Sequence, residues 1–291
     1  MKVLVLGKNG QLGHCLQDQL RSSRHEVIFT SRGDIDIGEF AQVSERMLEI
    51  KPDVVINAAA YTAVDKAESE PKLANHLNYL AVENLAKICS SLNAIMIHFS
   101  TDYVFDGESR VAYKEDAAVN PQGVYGTTKL MGELAIKNAG CKYLILRTSW
   151  VFSEYGSNFL KTMLRLGSEK DEINVVDDQI GCPTYAQDIA HAISVILSSD
   201  ELDESKFGVF HFVGDNPCSW YEFASNVFTQ ASILGLKTPS ILKPIKTINY
   251  PTPAVRPQYS VLDTSKIEKA FELRNSNWND GIGRVLDKLV C

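Results

Sequence analysis

The sequence is poor in the features that would take it out of the ordinary globular class. Its six cysteines, Cys15, Cys89, Cys141, Cys182, Cys218 and Cys291, are scattered, with no C-x-x-C pair and no histidine at zinc-finger spacing. Neither a disulfide framework nor a structural zinc site is therefore expected, and the thiols read as free. No apolar run approaches the ~20 residues that cross a bilayer; the stretch from Val54 to Val64 is broken by Asn57 and Thr62. The start, Met1 to Leu6, runs straight into Gly7. It lacks the longer apolar region and cleavage site of a secretory leader, so it reads as a first strand and the chain as cytoplasmic. Positive charge is not in excess: 29 Lys and Arg against 36 Asp and Glu give −7. Such a surface repels phosphate backbones and anionic membranes, and neither nucleic acid nor a membrane is an expected partner. Internal repeats, low-complexity tracts and long charge runs are missing too.

What is there is a chain of 291 residues, 45% hydrophobic and 22% charged, which suits one large domain with an insertion, or two domains. In its first half, short aliphatic runs alternate with helical patterns. Strands are predicted at Lys2 to Leu6, Glu26 to Thr30, Asp53 to Asn57, Ala94 to Ser100 and Lys142 to Arg147. Helices are predicted at Gln11 to Arg21, Glu39 to Ile50, Pro71 to Ser91 and Tyr125 to Asn138. The alternation predicts an α/β fold with a doubly wound parallel sheet, Rossmann-like. After Trp150 the texture changes to Gly-, Asn- and Pro-rich loops around shorter elements. The expected division is a dinucleotide-binding domain over 1–150, rejoined by part of 183–215, and a smaller substrate lobe formed by 151–182 and 216–291.

Gly7-Lys8-Asn9-Gly10-Gln11-Leu12-Gly13 follows a predicted strand and opens a predicted helix, the setting in which a glycine pattern points to a dinucleotide. Gly7 permits the tight turn, Gly10 lets backbone approach a diphosphate, and Gly13 lets the helix pack on the sheet. The plainer alternative is a strand-to-helix turn with incidental glycines. At the end of the second strand stands Thr30-Ser31-Arg32 where an acidic residue would select NAD. Ser31 and Arg32 suit a 2′-phosphate, which favours NADPH over NADH, with NADH still possible; otherwise Arg32 is a solvated surface residue.

Tyr125-Gly126-Thr127-Thr128-Lys129 sets a phenol and an ammonium one helical turn apart. A cation beside a phenol favours the phenolate, so Lys129 is expected to bring Tyr125 toward neutral exchange, as proton donation to a reduced carbonyl requires. The bland reading is a surface helix carrying both residues by chance. Ser100-Thr101-Asp102-Tyr103-Val104-Phe105-Asp106-Gly107 ends the fourth predicted strand, and Ser100 and Thr101 are expected to point into the crevice shared with the glycine loop.

With Asn57 to Asp65, Arg147 to Val151, Asp178 to Thr184 and Tyr250 to Pro257, these motifs run in order over nearly the whole chain. Together the chain resembles the dTDP-4-dehydrorhamnose reductase family of extended short-chain dehydrogenases/reductases. The resemblance implies NADPH- or NADH-dependent reduction of the C4 ketone of a dTDP sugar, giving dTDP-L-rhamnose. By position it implies that Tyr125 donates the proton, Lys129 holds the nicotinamide ribose, and Thr101 polarises the carbonyl or adjusts the phenol. Gly10, Gln11 and Leu12 would contact the diphosphate, Asp36 and Ile37 the adenine, and Ala60, Tyr61 and Thr62 the cofactor near the third strand. Thr101, Asp102, Tyr103 and Trp150 match positions lining the sugar-nucleotide site. Arg256 is a candidate clamp for the substrate diphosphate, or else a structural ion pair. Some members are magnesium-linked dimers that use an acidic residue where this chain has Cys15, a poor ligand for a hard cation, so no metal is expected and the oligomer stays open. Two alternatives remain: a regulatory relative like the regulatory subunit of methionine adenosyltransferase, and a sugar-nucleotide epimerase or dehydratase.

Overall fold

The computed structural model describes residues 1–199 and 204–290; Cys291 lies outside them. The first half runs β1 (Lys2–Leu6), α1 (Gln11–Leu20), β2 (Glu26–Thr30), α2 (Phe40–Ile50), β3 (Val54–Asn57), α3 (Val64–Ala67), α4 (Pro71–Asn75), a π-helical turn (His76–Leu80), α5 (Ala81–Leu92), β4 (Ile95–Thr101), α6 (Val124–Asn138) and β5 (Tyr143–Thr148). The second half follows with β6 (Val151–Phe152), α7 (Phe159–Glu169), β7 (Glu172–Val176), β8 (Ile180–Gly181), β9 (Thr184–Tyr185), α8 (Ala186–Ser198), β10 (Gly208–His211), β11 (Cys218–Ser219), α9 (Trp220–Ile233), β12 (Ile241–Ile245), α10 (Ser265–Phe271) and α11 (Trp278–Val290).

The main sheet has the order β10-β5-β4-β3-β1-β2 and is parallel throughout. Its inner strands are largely apolar runs because both faces are covered; β2, at the edge, is only partly buried. In β1, Val3 and Val5 pack with Leu16 of α1 and Ile193 of α8, whereas Leu4 and Leu6 pack with Met47 of α2 and Leu85 of α5. Strand order reverses between β1 and β3, and a ligand crevice opens beyond the carboxyl ends of strands at such a reversal.

The remaining strands form two-stranded pairs: β6 with β9, β7 with β12 and β8 with β11. Around them α7, α9 and α11 bury a separate core that includes Phe152, Phe223 and Trp278. No helix among the described residues is long and apolar enough to cross a membrane.

Candidate active site

A cleft of about 780 Å³ lies over the carboxyl ends of β1, β3, β4 and β5. At one end is the glycine turn. Gly7 has φ +89°, and a Cβ there would meet Ala59 N at 2.8 Å; its amide and that of Lys8 both donate to Thr30 O, tying the turn to β2. A Cβ on Gly13 would stand 2.1 Å from Gly7 O, so α1 reaches the turn only because Gly13 has none. No side chain caps α1 at Gly10. Its first amides therefore face the cleft beside Gly10, Gln11 and Leu12, an arrangement that suits a diphosphate.

The far wall after β2 holds Arg32, Asp36 and Ile37. Arg32 is 82% exposed and its Nε donates to Asp36 at 2.8 Å. The Ser31 amide and hydroxyl both donate to Asp34 at 2.8 Å, and Lys8 donates to the same carboxylate oxygen. These bonds hold the Asp34 carboxyl well below its usual range and turn Ser31 away from the cleft.

After β3 the wall is built by Ala58, Ala59, Ala60 and Thr62. Tyr61 is turned inward: its hydroxyl donates to Glu70 at 2.7 Å. Its backbone is clamped by Asn78, whose Oδ1 accepts from Tyr61 N at 2.9 Å and whose Nδ2 donates to Tyr61 O at 3.0 Å.

The reactive end is formed by β4, the 3-10 turn Asp102–Val104 and the start of α6. Thr101 accepts from Tyr103 N and donates to Asp102 Oδ1 at 3.0 Å. Asp102 Oδ2 is buried without a partner, as is Thr148 Oγ1, so two unmatched polar atoms stand in residues lining the cleft. Burial pushes the Asp102 carboxyl up to about 6. Lys129 Nζ donates to Phe99 O at 2.6 Å and lies 3.1 Å from His98 Nε2; burial pulls it down to about 8, with Glu133 acting in the opposite sense. One expectation is corrected here. Tyr125 is driven above its usual range by burial, with a contact to Thr101 pulling back; desolvation outweighs any help from the neighbouring cation. Ser100 and Thr101 both line the cleft, and the Ser100 hydroxyl donates to Glu133 at 2.5 Å. Glu133 in turn pairs with Arg147 at 2.7 Å, both fully buried.

Trp150 ends the cleft with φ +47°, a backbone conformation rare for a bulky residue and one that marks functional sites. Its ring stacks on Trp220 at 3.5 Å and 8° and lies over Gly181, where a Cβ would meet it at 2.6 Å. Arg256 stands behind the wall, donating to Tyr103 Oη at 3.1 Å and pairing with Asp65 at 2.7 Å.

A family model, the RmlD substrate binding domain, matches residues 1–291. The chain belongs to that family. It is 41% identical to the dTDP-4-dehydrorhamnose reductase of Escherichia coli K12, over 99% of this chain and 98% of that one. Among solved structures it resembles a dTDP-4-dehydrorhamnose reductase from Clostridium acetobutylicum, with TM-score 0.92, 40% identity and all of both chains covered. It also resembles one from Bacillus anthracis in complex with NADP, with TM-score 0.92, 36% identity and 99% of both chains covered.

Of the residues singled out in the sequence, this RmlD-family chain brings Gly7, Gly10, Gln11, Leu12, Arg32, Asp36, Ile37, Ala60, Thr62, Thr101, Asp102, Tyr103, Tyr125, Lys129 and Trp150 to one cleft. Gly13, Ser31, Tyr61 and Arg256 stand outside its lining and act on it through backbone packing or a neighbour. The sequence reading missed Thr148 and Trp220, which line the cleft, and His98, buried beneath it against Lys129. Trp220 had a signal in its place directly after Cys218-Ser219, a strand-and-cap pattern that opens a helix at the lobe's inner edge. His98 had one in its position on a strand whose neighbours are apolar.

Proposed function

We propose that this chain reduces the C4 ketone of dTDP-4-dehydro-6-deoxy-L-mannose with NADPH, yielding dTDP-L-rhamnose. The carrying observation is the placement of Tyr125, Thr101 and Lys129 at one end of a cleft whose other end is an uncapped helix N-terminus between close-packed glycines. The cradle fits a dinucleotide: Gly7 and Gly13 leave no room for a side chain, and no side chain caps the first turn of α1. Gly10, Gln11 and Leu12 would hold the diphosphate, Arg32 the 2′-phosphate and Asp36 and Ile37 the adenine side. When bound, the reduced nicotinamide supplies a hydride.

The protein's own residues do the rest. Tyr125, kept protonated by burial, delivers its proton to the ketone oxygen as that oxygen gains charge. Thr101 orients the phenol, and Lys129 holds the ribose side of the cleft. Asp102 Oδ2 offers an acceptor for a sugar hydroxyl, and Trp150 with Trp220 forms a flat aromatic wall for the nucleotide. We assign residues 1–150 with part of 183–215 to cofactor binding, and 151–182 with 216–291 to the substrate. The regulatory and epimerase readings are not favoured, since a full-length relative at 41% identity carries the reductase name.

The test follows nicotinamide absorbance with NADPH and NADH in parallel on freshly generated dTDP-4-dehydro-6-deoxy-L-mannose. Substrate-dependent oxidation is expected, faster at low cofactor with NADPH. Replacing Arg32 with Ala is expected to weaken NADPH about tenfold and leave NADH nearly unchanged, the worth of one exposed charge-assisted contact. A folded, cofactor-binding sample that oxidises neither overturns the reading.

A further inference from the structure

Beneath the cleft a line of buried polar groups runs from β3 through β4 to α6. Its first member is Ala59 N, which donates to Asn57 Oδ1 at 3.2 Å. That bond settles which way the Asn57 amide faces: Nδ2, a donor only, points at His98 Nδ1 at 3.2 Å. His98 Nδ1 must then accept. A neutral imidazole that accepts at Nδ1 carries its hydrogen on Nε2, and Nε2 is the atom 3.1 Å from Lys129 Nζ. His98 is fully buried, and burial together with the neighbouring lysine holds it well below its ordinary range, so the neutral ring is the relevant species.

An ammonium at Lys129 has three hydrogens and no lone pair. One hydrogen goes to Phe99 O at 2.6 Å, but another would meet the His98 N–H head-on. A neutral amine keeps a lone pair that accepts from Nε2. For the ammonium to gain an acceptor there, His98 would have to move its hydrogen to Nδ1, facing the Asn57 donor, or the Asn57 amide would have to turn and give up Ala59 N.

We propose that His98, fixed by Asn57 as the tautomer protonated on Nε2, is a positioning residue that offers Lys129 a donor where an ammonium needs an acceptor, and so biases Lys129 toward the neutral amine. Lys129 then becomes a titrating group of the cleft instead of a fixed positive charge. The opposing charge is Glu133, one turn further along α6, which favours the ammonium but is itself engaged by Arg147 of β5 and Ser100 of β4. The other titratable groups at this end are Tyr125, one turn back on α6, and Asp102 and Tyr103, just beyond β4.

The proposal rests on Lys129 and Tyr125 being the reactive pair only for its catalytic consequence, and its test is read without turnover. Lysine labelled at Cε is titrated by NMR in the cofactor-free full-length protein, with Lys129→Arg identifying the signal, and labelled histidine reports the tautomer. Lys129 is expected to titrate below the other lysines, with His98 Nδ1 unprotonated. His98→Gln, whose carbonyl can accept from the ammonium, is expected to raise the Lys129 titration by about one pH unit, the worth of one hydrogen bond. Asn57→Ala, which frees Nδ1 to take the hydrogen while leaving the ring against Nζ, is expected to shift it the same way. The alkaline limb of turnover should follow. Should His98→Gln fail to fold, Asn57→Ala and the wild-type tautomer still decide. A hydrogen on Nδ1 in the wild type, or a Lys129 titration unmoved by the variants that fold, overturns the proposal. A shifted titration with no reductase activity leaves it standing and removes the functional reading instead.

Discussion

Tyr125 and Asp102 line the same wall and are displaced from ordinary acidity by the same cause, burial, with different consequences. A phenol that keeps its proton at neutral pH is ready to give it to a developing alkoxide. Tyr125→Phe retains the ring and its edge-on packing against Tyr103 and removes only the donor. Turnover is expected to fall about 10²–10⁴-fold, with cofactor affinity within about twofold by fluorescence titration; an unchanged single-turnover rate would contradict the assignment. Asp102 is a carboxyl raised from 3.8 to about 6, so between those values the folded protein binds more protons than the unfolded chain. Stability from this group is therefore present at low pH and lost as pH rises through about 6. Asp102→Asn is expected to stabilise the protein at pH 7 by about 1–3 kcal/mol while impairing turnover, and to lose that advantage near pH 4. Urea melts at the two pH values check this, and an equal difference at both would contradict it. Neither shift was legible in the sequence. The pairing of Tyr125 with Lys129 can be read from spacing, but desolvation belongs to the assembled cleft.

The elements were legible to different degrees for physical reasons. Strands β1 and β3 to β5 were readable because two-sided burial leaves largely apolar runs, β2 at the sheet edge from its Val27-Ile28-Phe29 centre, and Gly7 and Gly13 because their missing side chains are what the turn requires. The span Pro71 to Ser91 reads as one helix, whereas the structure interrupts it with a π-helical turn at His76–Leu80. Apolar periodicity continues across that turn and gives no warning of it. Its use is local: it carries Asn78, fully buried, onto the backbone of Tyr61 behind the β3 wall of the cleft, as π turns at functional sites often do. Asn78 O also lies where a Cβ on Gly132 would be 2.3 Å away, so α6 packs directly on the turn. Asn78→Ala strands the Tyr61 N–H and C=O. A loss of about 2–4 kcal/mol in chemical denaturation and a raised KM for NADPH are expected together. Loss of stability with an unchanged KM would separate the turn from the cleft.

At the scale of the molecule, the function depends on joining distant segments. The parallel sheet places the glycine turn, the β3 loop and the β4 end along one edge because the strand order reverses between β1 and β3. Trp150 and Trp220 meet only when the second half of the chain folds back over that edge, which is why the family resemblance pointed to the first and nothing in the sequence pattern paired it with the second. Arg256 is likewise brought from the far end of the chain to Asp65 and Tyr103, so its role is visible only in the folded molecule. The chemistry that this joining serves is hydride delivery to a sugar ketone. It is tested most directly with NADPH deuterated at the transferring position and dTDP-4-dehydro-6-deoxy-L-mannose, followed by mass and NMR analysis of the product. The expected product is dTDP-L-rhamnose with deuterium at C4 of the sugar; product without that deuterium, or with deuterium at another carbon, would mean that the hydride goes elsewhere.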